Sequence, residues 1–328
     1  MIISKTPFRI SFFGGGTDYP VWFNEHGGSV LGSTIDKYCY ISCRYLPPFF
    51  DHSYRIVYSK SEHAKDVSDI EHPSVKECIR FAELDEGLEI HHDADLPARS
   101  GLGSSSSFTV GLLHCLGALS GRIYTKMELA TDAIHVEQEM IGENVGSQDQ
   151  THAALGGLNH IEFHGNNSID VSPVTISSNM RMALNDHLLL FFTGISRFAS
   201  EIAEEQILNS LAKESELKEM HEMVNEAMKI LNNRVESIDD FGLLLNESWK
   251  LKRSLSTRIT NDEIDAWYDS GLQAGASGGK LLGAGAGGCM LFFCEPDRHQ
   301  HVIGSLSSLL HIPFRFENEG SQLILNEP

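Results

Sequence analysis

No apolar run in this chain approaches the roughly 20 residues that a membrane crossing needs. Cationic side chains are scarce as well. Lys and Arg number 25 against 45 Asp and Glu in 328 residues, a net charge of −20, which disfavours nucleic acid and anionic membranes as partners. The six cysteines (Cys39, Cys43, Cys78, Cys115, Cys289 and Cys294) are scattered and form no Cys-x-x-Cys pair. A zinc site or disulfide framework is therefore not indicated, and reduced thiols are expected. The opening residues, Met1 to Pro7, lack the apolar stretch of about 7–15 residues that marks a secretory signal, so a cytoplasmic location is expected. Internal repeats, low-complexity tracts and polar linkers are missing, and so is the Walker loop Gly-x-x-x-x-Gly-Lys-Ser/Thr.

The composition that remains, 41% hydrophobic and 21% charged, is that of a globular protein. At roughly 150 residues per domain, the length suggests two domains. A chain this acidic can hold a phosphate compound only locally, through oriented backbone N–H groups and a metal ion.

Alternating β-branched and aromatic residues predict strands at Met1–Phe13, Tyr38–Tyr45, Tyr54–Tyr58 and Leu88–His92. Phe108, Leu112, Cys115, Leu116 and Leu119 form one stripe of a helix over Ser104–Leu119. A second helix starts at the Thr125/Glu128 capping box and stops at Gly142. From Asp186 onward the pattern gives a strand at Leu188–Thr193 and helices at Glu201–Leu211, Lys213–Asn233 and Asp240–Leu255. A strand at Cys289–Cys294, a helix at Asp297–Leu310 and closing strands at Ile312–Phe316 and Leu323–Leu325 follow. Without regular βαβ alternation, the order reads as α+β. A division into residues 1–185 and 186–328 is expected.

Chemistry concentrates in four segments. In the first, Pro7-Phe8-Arg9 leads through a strand to Gly14-Gly15-Gly16-Thr17-Asp18. The glycines permit close approach of a ligand, and Asp18 can accept hydrogen bonds from sugar hydroxyls. Read alone, the segment fits a tight turn with a solvated Asp equally well. The second, Gly101-Leu102-Gly103-Ser104-Ser105-Ser106-Ser107, runs straight into a helix. Small residues and a helix N-terminus make a phosphate cradle, and the hydroxyls suit a hard cation. The third, Leu282-Gly283-Ala284-Gly285-Ala286-Gly287-Gly288, matches Gly-x-Gly-x-x-Gly, but an apolar strand follows where a dinucleotide fold needs a helix. A loop closing over substrate or nucleotide, with Gly285 and Gly287 near the ligand, fits better. The fourth spans Glu137 to Gly146-Ser147-Gln148-Asp149-Gln150, with Glu137 in a helix and Asp149 after a glycine turn. Such a pair can divide metal binding from proton transfer, although helices often carry solvated glutamates.

Taken together, these segments resemble the GHMP kinases (galactokinase, homoserine kinase, mevalonate kinase and phosphomevalonate kinase), in order and over essentially the whole chain. The resemblance implies an N-terminal domain like part of ribosomal protein S5 and a ferredoxin-like C-terminal domain, with ATP and Mg²⁺ bound between them. It implies phosphate binding by residues 101–107, Mg²⁺ ligation by Ser105 and Glu137, and catalysis by Asp149 with Arg9 beside it. Sugar contacts would come from Gly15, Gly16, Thr17 and Asp18, and Asp149 falls where galactokinases have Gly-Ile-Met-Asp-Gln.

Galactokinases carry Gly-Glu-His-Thr-Asp where this chain has Gly-Gly-Gly-Thr-Asp, a form similar to heptose 7-phosphate kinases and some fucose-type kinases. The implied reaction is phosphorylation of an anomeric hydroxyl, most readily of D-glycero-D-manno-heptose 7-phosphate, for nucleotide-activated heptose. An unphosphorylated sugar such as fucose, a non-catalytic sugar and nucleotide sensor, and a dehydrogenase reading of Gly283–Gly288 stay open. Arg44, Arg99, Lys37 and Lys280 are the cations to test against a sugar phosphate.

Overall fold

The computed structural model describes residues 1–195, 199–232 and 238–327. The first half runs β1 (Ile2–Phe13), α1 (Pro20–His26), β2 (Gly28–Tyr45), β3 (Tyr54–Val57), β4 (Ser61–Ala64), α2 (Pro73–Ala82), β5 (Leu88–Ala94), α3 (Ser104–Leu119), α4 (Lys126–His135), α5 (Gln148–Leu155), β6 (Leu158–His164) and β7 (Ser168–Pro173). Its sheet has the order β12-β1-β2-β5-β3-β4, where β12 is Gln322–Asn326, and β6 joins β2 to β7. β2 is long enough to pair with all of β1 on one side. On the other it pairs with β6 near Gly28–Ser33 and with β5 at Cys39–Tyr45. The β1–β2 register shifts between Pro7 and Phe8, where proline has no N–H to give the ladder.

α3 is apolar nearly all round and is buried over most of its length, as a helix in the middle of a core should be. It begins at Ser104 because Gly103 caps it in the left-handed region (φ 74°). α4 starts on the expected Thr125/Glu128 capping box. It then loosens into a π-helical turn, Val136–Ile141, which ends at left-handed Gly142. Such turns often mark functional sites, and Glu137 lies in this one. Asp149, expected after a glycine turn, sits in the first turn of a separate helix, α5.

The second half runs α6 (Ser178–Asp186), β8 (Leu188–Phe192), α7 (Ala199–Asn209), α8 (Glu214–Asn232), α9 (Asp239–Ser254), α10 (Asp262–Gln273), β9 (Gly278–Leu281), β10 (Cys289–Phe293), α11 (His299–Ser305) and β11 (Leu310–His311), before β12. Its sheet is antiparallel, in the order β11-β8-β10-β9. Asn233, the expected last residue of α8, lies outside the described residues.

Two expectations at the C-terminus change. The helix expected at Asp297–Leu310 is only α11, and Ile312–Phe316 is not a strand, though Phe316 bridges Ile35. The closing strand expected at Leu323–Leu325 is β12, which pairs with β1. The chain thus returns across the 185/186 division to complete the first sheet. All six cysteines are free and buried. Among the described residues no helix is long and apolar enough to cross a membrane.

Candidate active site

Arg9 sits in the middle of β1 and is 4% exposed. Its Nε and Nη2 donate to the two carboxylate oxygens of Asp149 at 2.8 and 2.7 Å, and its Nη1 donates to the Gly101 carbonyl at 2.7 Å. The Arg9 N–H also reaches the Leu102 carbonyl at 3.0 Å. One residue therefore fixes both the glycine-serine loop and the carboxylate. The two-pronged geometry sets the plane of the carboxylate, which a single contact would not do. Asp149 keeps 25% of its side chain exposed, so it still faces an incoming group. A side chain at Gly103 would begin 3.3 Å from Asp149 Oδ2 and 3.2 Å from Arg9 Cγ, so glycine brings the loop against the pair.

Each serine of the loop has a different task. Ser104 Oγ accepts the Arg99 N–H at 3.1 Å, and Ser107 Oγ donates to the Pro7 carbonyl at 2.9 Å. Ser106 Oγ donates to Glu137 Oε2 at 2.9 Å, while Ser105 is exposed. Glu137 therefore pairs with Ser106, while Ser105, expected to share a metal ion with it, is the exposed one. Successive helical residues are turned about 100° apart, so a one-residue offset exchanges the inward and outward faces. The free N–H groups at the start of α3 give the loop its capacity for anions.

Glu137 is completely buried. Its Oε2 accepts from Ser106 and from Gln150 Nε2, but its Oε1 has no partner. Burial, with the Glu143 charge adding to it, pushes the carboxyl up to about 7 against the hydrogen bonds that favour ionisation. A buried carboxylate oxygen without a partner is costly and fits a cation. Among the described residues no cluster of three or more His, Cys, Asp or Glu could hold a metal ion. One such carboxylate is a donor set that fits Mg²⁺, which commonly takes one or two carboxylates and completes its shell with water and substrate phosphates.

Asp18 lies within the field of Asp149 and is 2% exposed. Its Oδ1 accepts the Gly16 N–H at 2.9 Å. Burial foremost, and the Asp149 charge in addition, raise its carboxyl above the ordinary range, opposed by hydrogen bonds from Gly16 and Gln148. Gly146 has to be glycine, since a Cβ there would meet Asp18 Oδ2 at 1.9 Å. Thr17, expected to contact the sugar, gives its hydroxyl to the backbone. Its hydroxyl is buried 2.8 Å from the Gly14 carbonyl and 3.0 Å from that of Ser29, whose N–H it also accepts. It ties the glycine turn to β2.

The third glycine segment is the turn between antiparallel β9 and β10, which removes the dinucleotide-fold reading. Gly285 and Gly287, expected near the ligand, lie tight against other backbone. A Cβ on Gly285 would strike Ile259 at 2.8 Å, and one on Gly287 would strike the Ile195 carbonyl at 2.6 Å. These glycines allow close backbone packing, and the packing places the turn over the phosphate loop. Cys289 N–H donates to Ser100 O at 2.8 Å.

Sequence reasoning missed Lys252. This lysine is 7% exposed and donates to Leu281 O at 3.2 Å and to Gly283 O. Burial and the Arg9 charge bring its ammonium down to about 8, opposed by Asp18 and Asp149. The signal was present, because Lys252 continues the buried stripe Phe241, Leu245, Ser248, Trp249 of α9. Of the cations singled out from sequence, Lys280 is buried and donates to Phe12 O at 2.7 Å. Arg44 pairs with Glu89 at 2.5 Å, Lys37 lies 3.5 Å from Asp36, and Arg99 adopts a left-handed conformation just ahead of the loop.

Residues 73–157 match the family "GHMP kinases N terminal domain", and residues 226–311 match "GHMP kinases C terminal". A D-glycero-alpha-D-manno-heptose 7-phosphate kinase of Campylobacter jejuni is 33% identical over 93% of each chain. The chain belongs to the GHMP kinase family. The enzyme is an ATP-dependent phosphotransferase whose acceptor is a sugar hydroxyl. It is also similar to the bifunctional fucokinase/GDP-fucose pyrophosphorylase of Arabidopsis thaliana, at 26% identity over 89% of this chain and 30% of that one. In fold it matches a D-glycero-D-manno-heptose 1-phosphate kinase from Bacteroides thetaiotaomicron, with a TM-score of 0.73, 24% identity and full coverage of both chains.

Proposed function

We propose that this kinase phosphorylates the anomeric hydroxyl of a heptose 7-phosphate. The observation that carries the chemistry is the Arg9–Asp149 pair held against the Gly101 and Leu102 carbonyls. Asp149 takes the proton of the acceptor hydroxyl. The freed oxygen attacks the γ-phosphorus in line, the bond to the β-phosphate oxygen breaks, and ADP leaves. Arg9 keeps the carboxylate aimed throughout, and backbone N–H groups of residues 101–107 hold the phosphates. Glu137 with Ser106 would hold Mg²⁺, which supplies charge neutralisation when bound. Asp18 orients the sugar.

The choice of sugar rests on the 33% identity to the Campylobacter jejuni heptose 7-phosphate kinase. Beside Gly16 lies a small, mostly apolar recess of about 10 Å³ with Lys213 in its lining. Lys213, which also pairs with Glu216 at 2.8 Å, is the cation we assign to the distal phosphate. The test is an ATP-consumption panel of heptose 7-phosphate, the unphosphorylated heptose, L-fucose and galactose. Preference for the phosphorylated heptose, lost in Lys213→Met, is the expected result. Equal turnover of L-fucose overturns the choice of substrate.

A further inference from the structure

Glu137 Oε2 is already engaged. It accepts from Ser106 Oγ at 2.9 Å and from Gln150 Nε2. The Thr109 hydroxyl stands close enough to favour the charged form of Glu137, but it gives its hydrogen to the Ser105 carbonyl at 3.3 Å. Oε1, without a partner, is the oxygen left for a cation. Gln150 is completely buried. It follows Asp149 on α5, and successive helical residues are turned about 100° apart, so Asp149 meets Arg9 while Gln150 meets Glu137. Packing does not explain an amide at this position. Gln150 Oε1 is itself buried without a hydrogen-bond partner, a cost that an apolar side chain of similar length would avoid. What the amide does achieve is to occupy one of the two Glu137 oxygens.

We propose that Gln150 is a metal-selecting residue: together with Ser106 it closes Glu137 Oε2, makes Glu137 a one-oxygen ligand, and so favours Mg²⁺ over Ca²⁺. This inference rests on the assignment of the cation to Glu137 and deepens it. Mg²⁺ demands near-ideal octahedral geometry with short bonds, and the two oxygens of one carboxylate subtend too narrow an angle to fill two octahedral positions. Ca²⁺ takes about six to eight oxygens at longer distances and readily accepts both oxygens of one carboxylate. A Glu137 with both oxygens free could therefore clamp Ca²⁺. Held by Ser106 and Gln150, it offers Oε1 alone, which suits the smaller ion. The same two hydrogen bonds fix the plane of the carboxylate before any ion arrives. Gln150 is thus a positioning residue that acts through Glu137.

The test follows Mn²⁺, a paramagnetic ion that also prefers octahedral oxygen sites, by its electron spin resonance signal. The ion is bound to the full-length enzyme with one equivalent of a non-hydrolysable ATP analogue and then displaced by Mg²⁺ or by Ca²⁺. In Gln150→Met the Mg²⁺ affinity should fall about tenfold or more, while that for Ca²⁺ holds or rises. The preference for Mg²⁺ over Ca²⁺ should therefore shrink by about tenfold or more. A general loosening of the site would weaken both ions alike and leave their ratio unmoved. Equal losses for Mg²⁺ and Ca²⁺, or no loss of either, overturn the inference. Should Gln150→Met fail to fold, Gln150→Asn makes the same comparison, because its amide is one methylene too short to hold Glu137. Glu137→Ala separates the two readings. If it binds Mn²⁺ as wild type does, the cation lies elsewhere and both readings fall. If it loses the ion while Gln150→Met keeps the wild-type ratio, the Gln150 inference alone falls.

Discussion

Gly101 and Gly283 touch backbone to backbone, so that a Cβ on Gly283 would begin 2.7 Å from the Gly101 Cα. The two glycine segments, far apart in sequence, form one packed unit at the phosphate site. Gly283 is also left-handed (φ 73°). Gly283→Ala therefore meets both backbone strain and a clash with main chain that cannot turn aside. The variant should lose stability in thermal unfolding, and its KM for ATP should rise more than its KM for sugar. An ATP affinity equal to wild type would separate the third segment from the phosphate site.

The Arg9–Asp149 pair makes a second prediction. Asp149→Asn keeps the shape but cannot take a proton, so kcat should fall by about 10²–10⁴-fold with the KM for ATP little changed. Arg9→Lys keeps the charge but loses the fork that sets the plane of the carboxylate. It should lower kcat strongly even though an ion pair to Asp149 can re-form. Steady-state kinetics on both variants checks this, and near-normal turnover in Asp149→Asn would remove Asp149 as the base.

What was readable in the sequence was what depends on neighbouring residues. The phosphate loop, the bounds of α3 and the capping box of α4 follow from local glycines, hydroxyls and apolar spacing. Arg9, Glu137 and Asp149 were visible because they sit in compact motifs. The remainder depends on contacts between distant segments. Thr17 was assigned to substrate because nothing local shows that β2 returns to take its hydroxyl. A run of four serines carries no helical phase, so nothing local shows that Ser106 is the one that meets Glu137. The glycine- and serine-rich first half of β2 hid a strand, and β12 gave no sign that its partner is β1 at the other end of the chain.

Glu137 supplies a pH prediction. Its carboxyl stands at about 7 in the folded, metal-free protein against an ordinary 4.5. Between those values the unfolded chain releases the proton first, so the native state binds more protons and stability falls as pH rises through this window. The contribution is on the order of 3 kcal/mol, fully lost above about pH 7. Glu137→Gln carries no charge there, so metal-free Glu137→Gln should be more stable than wild type at pH 8 and equal to it near pH 4. Mg²⁺ should raise the wild-type melting temperature at pH 8 and leave that of the variant unmoved. Thermal unfolding with and without Mg²⁺ at the two pH values measures both effects. A parallel Mg²⁺ response in the variant would place the cation elsewhere.

Lys252 gives the last prediction. Its ammonium grips the carbonyls of Leu281 and Gly283 on the turn above the phosphate loop, within the field of Arg9, Asp18 and Asp149. A buried cation in the field of two carboxylates can both hold the turn in place and offset negative charge during transfer. Its folded value of about 8 lies below the ordinary 10.5, so the unfolded chain binds more protons between these values and the Lys252 contribution to stability rises with pH there. Activity runs the opposite way, because losing the proton loses the cation. The wild-type rate should fall along an alkaline limb near pH 8. Lys252→Met should be slow at every pH and lack that limb, and it should also melt below wild type at pH 7, because the Leu281 and Gly283 carbonyls lose their buried donor. A variant that keeps the limb would show that another group titrates there and leave Lys252 as a structural tie alone.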